Sequence, residues 1–349
     1  MRLIIIFGAF FGIFLIVSLC AVFVFSCEKI KFYPERGFQS AWWYQILIFS
    51  VMIGFGAAAG FMKTGENDMV SNIIECCFII PCAAGYYALK RSDRELSLRE
   101  LGFCGIKREY IPYVLFIPMF YQIFCIYMTM PLTLLLNALF GSDLPDITVP
   151  KDAAGVISTL TGICILAPLF EEFLYRGIMV RLLKGCSFRT IMLTTSLAFA
   201  MMHMDMSGFT QIFFLGMLLF IIRTATGSLF SSVAAHSVIN LMSFILSVLS
   251  EKNMITEYES IILAVDIGSL IVVPFLMVNF LRVTVSEDDW TKKFIIKGKK
   301  KGISVGCIIF TVIYIIWNGV VLSNNISSGY TQKTLGEFFD TVTAEEETA

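Results

Sequence analysis

Ten apolar runs pattern the chain, at roughly 3–26, 43–62, 69–89, 110–138, 160–183, 189–206, 209–224, 228–250, 259–281 and 303–323, with polar stretches between them. Lipid offers no hydrogen bonds to a backbone, so each run is predicted as a helix whose polar groups are satisfied internally. The run at 110–138 is long and holds Pro112 and Pro118, which predicts a tilt or a kink near Pro118. The run at 209–224 is short for a full crossing. The first run exceeds the roughly 7–15-residue apolar core of a signal peptide, so a retained helix is expected. After Asn325 the chain turns polar and ends in "AEEETA", the pattern of a loose terminus. The pattern therefore predicts an all-α polytopic membrane protein of about 8–10 transmembrane helices. Residues 1–325 form one transmembrane domain, and 326–349 form a tail.

Composition agrees. Of 349 residues, 57% are hydrophobic and 15% charged, against about 25% charged in soluble domains. Mean hydropathy is +0.79. A formal net charge of -1 hides an asymmetry: 21 of the 26 Lys and Arg residues fall in alternate inter-run stretches, including 27–42, 90–109 and 282–301. Those stretches are expected on the cytoplasmic side, which places both termini outside. The charged stretch "RSDRELSLRELGFCGIKREY" is expected to lie along that surface. The ten cysteines form no CxxC pair and read as small apolar residues. No internal repeat, nucleotide-binding loop or nucleic-acid signature is present, so nucleic acid is not an expected partner. A multi-pass protein of a bacterial plasma membrane is the expected localisation.

Against this background a few polar groups stand out, because ionisable side chains at membrane depth are costly. "LAPLFEEFLYRG" carries Glu171, Glu172 and Arg176; "FAMMH" ends in His203; "HSVIN" holds His236 and Asn240. The two histidines are the only ones in the chain. Glu172 and Arg176 are four residues apart and share a helix face, which suits an ion pair. Glu171 lies about 100° round the helix and is free to face a cavity. Measured along helices from the cytoplasmic ends, Glu171, His203, His236 and Asn240 fall at roughly 20, 21, 12 and 18 Å. Four polar groups from three helices thus converge in depth.

A carboxylate beside an imidazole can bind and deprotonate a water, and a second imidazole with an amide can stabilise an oxyanion. Glu171, His203 and His236 can instead ligate a divalent metal such as zinc. The sequence does not separate a metal-held water from one held directly, and no other cofactor follows from it. Each group also has a plainer role: Glu172–Arg176 as a tie between helices, either histidine as a packing residue, Asn240 as interhelical glue. Glu75 and Asp266 are expected to cap or bridge helices. Asp205 is expected near the outer boundary, Arg223 as an edge anchor, and "TATGSLF" as a tight turn.

Three ordered motifs, EExxxR ("EEFLYR"), FxxxH ("FAMMH") and HxxxN ("HSVIN"), resemble those of the CPBP intramembrane proteases, the CAAX-protease, bacteriocin-processing or Abi family. "TGSLF" and "LRELGF" resemble the family too, over residues 90–250 in all. The resemblance implies that Glu171 and His203 activate a water while His236 and Asn240 hold the oxyanion. Glu172, Arg176 and Phe199 would be supporting, with Glu172 nearer the chemistry, and a metal on the site is an open question. Prenylated CaaX proteins or other membrane-associated peptides are the implied substrates, with membrane lipid around them. A non-catalytic bacteriocin-immunity or peptide-binding protein is the alternative. A proton-coupled transporter is a third, less favoured because such proteins show two similar halves.

Overall fold

The computed structural model describes residues 36–61, 75–141, 149–252, 259–284 and 304–331, with isolated positions between 16 and 27 and at 72, 73, 333 and 334. Among these, regular structure is helical apart from an isolated bridge between Lys184 and Cys186. Nine helices organise the described chain: α1 (Arg36–Phe61), α2 (Ile79–Ser92), α3 (Ile111–Phe140), α4 (Ala153–Leu182), α5 (Phe188–Met202), α6 (Phe209–Thr226), α7 (Leu229–Glu251), α8 (Glu259–Thr284) and α9 (Val305–Ser328). Five helical stretches among the described residues are long and apolar enough to cross a membrane, and six if the two halves of α3 count as one span. The protein is thus an all-α, multi-pass membrane protein. Most of the expected first run, the 282–301 basic stretch beyond Thr284 and the tail beyond Thr334 lie outside the described residues, as does the side chain of Asp266.

Local chemistry sets the boundaries that matter for the site. Ser187 caps α5 by accepting from Thr190 N at 3.2 Å, which satisfies one of the free N–H groups of the first turn. α5 ends at Met202, earlier than the expected 206, because Met204 turns left-handed (φ 53°). The Asp205 carboxylate then takes the N–H groups of Ser207 and Gly208, each at 2.9 Å, and launches α6. α6 closes on Gly227 at φ 73°, a conformation glycine adopts without a Cβ clash. α7 follows at once.

The bend in α3 is also not where Pro118 predicted it. The helix turns by 54° between Cys125 and Met128, about one turn before Pro131. Proline there removes the bond to the Tyr127 carbonyl and crowds it.

Three apolar clusters form the core of the described residues; the smallest seats α9 on α1 around Trp42, Phe49 and Phe310, and two are larger. One gathers α1, α2, the second half of α4, and α5 around Leu47, Ile178 and Phe199. The other gathers α3, α6, α7 and α8 around Ile117, Leu219, Ile239 and Phe280. α9 packs on α1 and α3. α5 and α6 lie close because Gly216 lacks a Cβ; one built there would sit 3.0 Å from Ser196 Cα.

Candidate functional site

α4 carries the glutamates, and its backbone is unusual. Pro168 has no N–H to give, so an ordinary α-register would orphan the Cys164 carbonyl. The helix instead widens to π-register over Gly162–Leu166, where Ala167 N–H reaches the Gly162 carbonyl. In that register the Ile163 carbonyl faces residue 168 and again finds no donor. Asn240 of α7 supplies one, its Nδ2 donating to Ile163 O at 2.6 Å. A second π-segment, Phe173–Met179, follows the glutamates and is buried from Leu174 to Met179. Such widened turns recur at functional sites.

Glu172 and Arg176 pair as their spacing predicts, Oε1 to Nη1 at 2.8 Å, with both side chains fully buried. Burying two charges costs several kcal/mol each unless other partners share the load. Arg176 finds two: Nη2 donates to Gly216 O on α6 at 3.0 Å, and the guanidinium sits 4.4 Å over the Phe199 ring of α5. One arginine thereby joins three helices. Glu172 Oε1 also meets His236 Nδ1 at 3.2 Å, a partner that helical spacing did not reveal. A carboxylate only accepts, so Nδ1 carries the proton and Nε2 is turned towards Glu171, 3.9 Å from its Oε2. That separation exceeds a hydrogen bond. Glu171 itself is 8% exposed and His236 3%.

His203 occupies the C-cap of α5, where the sequence had placed it inside the helix, and is exposed. Its Nδ1 lies 3.0 Å from Phe199 O. A carbonyl only accepts, so Nδ1 bears the proton and Nε2 of the neutral ring is left as a base. Phe199 stands edge-on to both histidines, 5.1 Å from His203 and 5.8 Å from His236.

Glu171, Phe199, His203, His236 and Asn240 line one cavity of about 250 Å³. Its remaining wall comes from Tyr121, Gln122 and Cys125 of α3, Gln211, Ile212 and Leu215 of α6, and Ile239 and Ser243 of α7. Glu172 and Arg176 stand behind Glu171 and His236, outside this lining. Glu75, expected only to cap or bridge helices, has a buried Oε2 with no hydrogen-bond partner among the described residues. Its carboxyl lies within electrostatic reach of Glu171.

The donors available to a metal are Glu171, His203 and His236. Among the described residues no group of three or more His, Cys, Asp or Glu side chains is arranged to hold a metal ion. Each ring spends Nδ1 on an acceptor, Glu172 for His236 and Phe199 O for His203, as metal-bound imidazoles also do. The set therefore suits a directly held water and a metal-held one alike, and no step below runs through a metal.

Several supporting residues carried no sequence signal. Gln45 of α1 is fully buried; it donates to Ala198 O at 2.9 Å and accepts from Tyr175 OH at 3.1 Å, fixing α4 and α5. The stretches "LRELGF" and "TGSLF" meet as a latch below the site. Leu229 N donates to Gly102 O at 2.7 Å and Ser228 Oγ to Cys104 O at 2.6 Å. Phe103 packs between Phe173 of α4 and Phe230 of α7, at 5.2 and 5.8 Å.

A polytopic helical protein with a glutamate and two histidines around one cavity defines the class. The family model described as "Type II CAAX prenyl endopeptidase Rce1-like" matches residues 153–242, so a CAAX-protease-like domain spans α4 to the middle of α7. That stretch holds all seven candidate site residues and is narrower than the 90–250 of the motif resemblance. No curated protein and no solved structure matches the chain.

Proposed function

We propose that the protein is an intramembrane endopeptidase that cleaves a peptide bond of a membrane-associated or prenylated, CaaX-type substrate. A hydrolase role in general terms accords with the CAAX-protease-like match. The observation that carries the finer reading is the shared cavity, into which three helices bring Glu171, His203, His236 and Asn240.

In this reading a water sits between the Glu171 carboxylate and His203 Nε2. As it attacks the substrate carbonyl carbon, Glu171 takes one of its protons. The carbonyl π-bond pair moves to oxygen, and the oxyanion is held by Asn240 and His236. Asn240 spends one N–H on Ile163 and keeps the other. His236 is oriented by Glu172, which Arg176 fixes in turn. Collapse of the intermediate breaks the C–N bond, and the proton on Glu171 passes to the leaving amine.

The test uses purified protein in liposomes with a prenylated CaaX peptide and a peptide library. Glu171→Ala and His203→Ala are each expected to lower turnover by about 10²–10⁴-fold, the worth of a positioned acid–base group, with folding largely intact. Unchanged turnover in both variants would sink the mechanism.

A further inference from the structure

Part of the cavity wall has a chemistry that hydrolysis alone does not require. Gln122 of α3 and Gln211 of α6 both line the cavity and both are half-buried. Gln122 spends one N–H on Ser243 Oγ at 3.1 Å, leaving its oxygen and second N–H. The Gln211 side chain has no hydrogen bond to any described residue. Two carboxamides with unspent donors and acceptors thus line the cavity that Glu171 and His203 also line. The apolar side chains of Ile212, Leu215 and Ile239 line it with them.

A peptide at membrane depth must satisfy each backbone N–H and C=O without water. A helical segment does so internally, but its scissile carbonyl is then sheathed by the helix. A segment drawn out to expose that carbonyl loses those bonds on both sides. A carboxamide offers one donor and one acceptor in a plane, the same pair that a neighbouring strand offers. Apolar side chains at the alternate positions would meet the aliphatic part of the wall.

We infer that Gln122 and Gln211 are specificity-determining residues that hold the backbone of an extended, apolar peptide on either side of the scissile bond. The inference rests on the hydrolase reading above and adds the substrate's conformation to it. Selection would fall on segments that unwind readily and carry apolar flanks, with little demand on side-chain identity.

The test reads binding, not turnover. In a Glu171→Gln background in phosphatidylcholine nanodiscs, Kd is measured for a short fluorescent apolar peptide and for its counterpart N-methylated at alternate backbone amides. Gln122→Leu and Gln211→Leu are each expected to weaken the unmethylated peptide roughly tenfold, the upper scale of one lost hydrogen bond. N-methylation is expected to cost the parent a similar factor and the double Gln variant almost none. Thermal unfolding checks that the variants are folded. An N-methyl penalty of the same size in the double variant overturns the inference, as does the absence of saturable binding. Loss of turnover on Glu171→Gln is the separate check on hydrolysis, so either reading can fail alone.

Discussion

Replacing Asn240 by leucine keeps the branching and heavy-atom count of the side chain and removes the side-chain donor that reaches the Ile163 carbonyl. That carbonyl is without a backbone donor only because residue 168 is proline. An unsatisfied buried group costs about 1–3 kcal/mol, whereas interhelical hydrogen bonds within membranes average about 0.6 and reach about 1.7 kcal/mol. The 2.6 Å contact and the absence of a backbone alternative place Asn240→Leu near the top of the membrane range, about 1–2 kcal/mol. Pro168→Ala supplies the missing N–H, so in that background the same substitution is expected to cost less than about 0.5 kcal/mol. The coupling is then about 1 kcal/mol, within the range of directly contacting pairs. The assay is reversible unfolding of the full chain in mixed micelles by sodium dodecyl sulfate, for the wild type, both single variants and the double. Additive costs would refute the account of the widened turn. The cycle also separates two jobs of Asn240. Pro168→Ala restores stability to Asn240→Leu but supplies no donor to an oxyanion, so turnover is expected to stay low in the double variant.

Arg176→Met leaves Glu172 buried without its cation and frees the Gly216 carbonyl, for an expected loss of about 3–5 kcal/mol in the same titration. Glu172→Gln added to it should recover part of that loss, and a single-variant loss under about 1 kcal/mol would show that the pair is not structural. Dialysis against a chelator, with metal content measured before and after, is expected to leave turnover unchanged if Glu171 and His203 hold the water directly. Loss of turnover that zinc restores would return the water to a metal.

The sequence made legible what depends on spacing within one helix. The four-residue step from Glu172 to Arg176 gave the ion pair, and the offset of Glu171 gave its turn towards the cavity. Depth counting put His203, His236 and Asn240 at comparable depths, and they line one cavity even though α5 ends sooner than expected. The left-handed Met204 and the Asp205 turn end it there, so His203 caps a helix and gains an exposed edge. The π-register was not legible because a period of 3.6 was assumed throughout, although Pro168 was its signal. The α3 bend was assigned to the wrong proline for a similar reason: Pro131 acts one turn upstream of itself.

What spacing could not carry is the meeting of distant segments. Gln45 anchors Tyr175 and Ala198 across most of the first half of the chain, and Glu172 finds His236 three helices later. The remaining wall is the extreme case. Every candidate site residue lies between 171 and 240, on α4, α5 and α7, yet α3 and α6 complete the cavity lining. Hydrolysis restricts residue type, because few side chains can deprotonate a water, so its groups stand out as charges among apolar neighbours. Holding a backbone restricts only position, since any carboxamide at the right height will serve. Gln122 and Gln211 therefore look like ordinary polar interruptions in apolar runs, and only the packing of α3 and α6 around one cavity gives them a shared task.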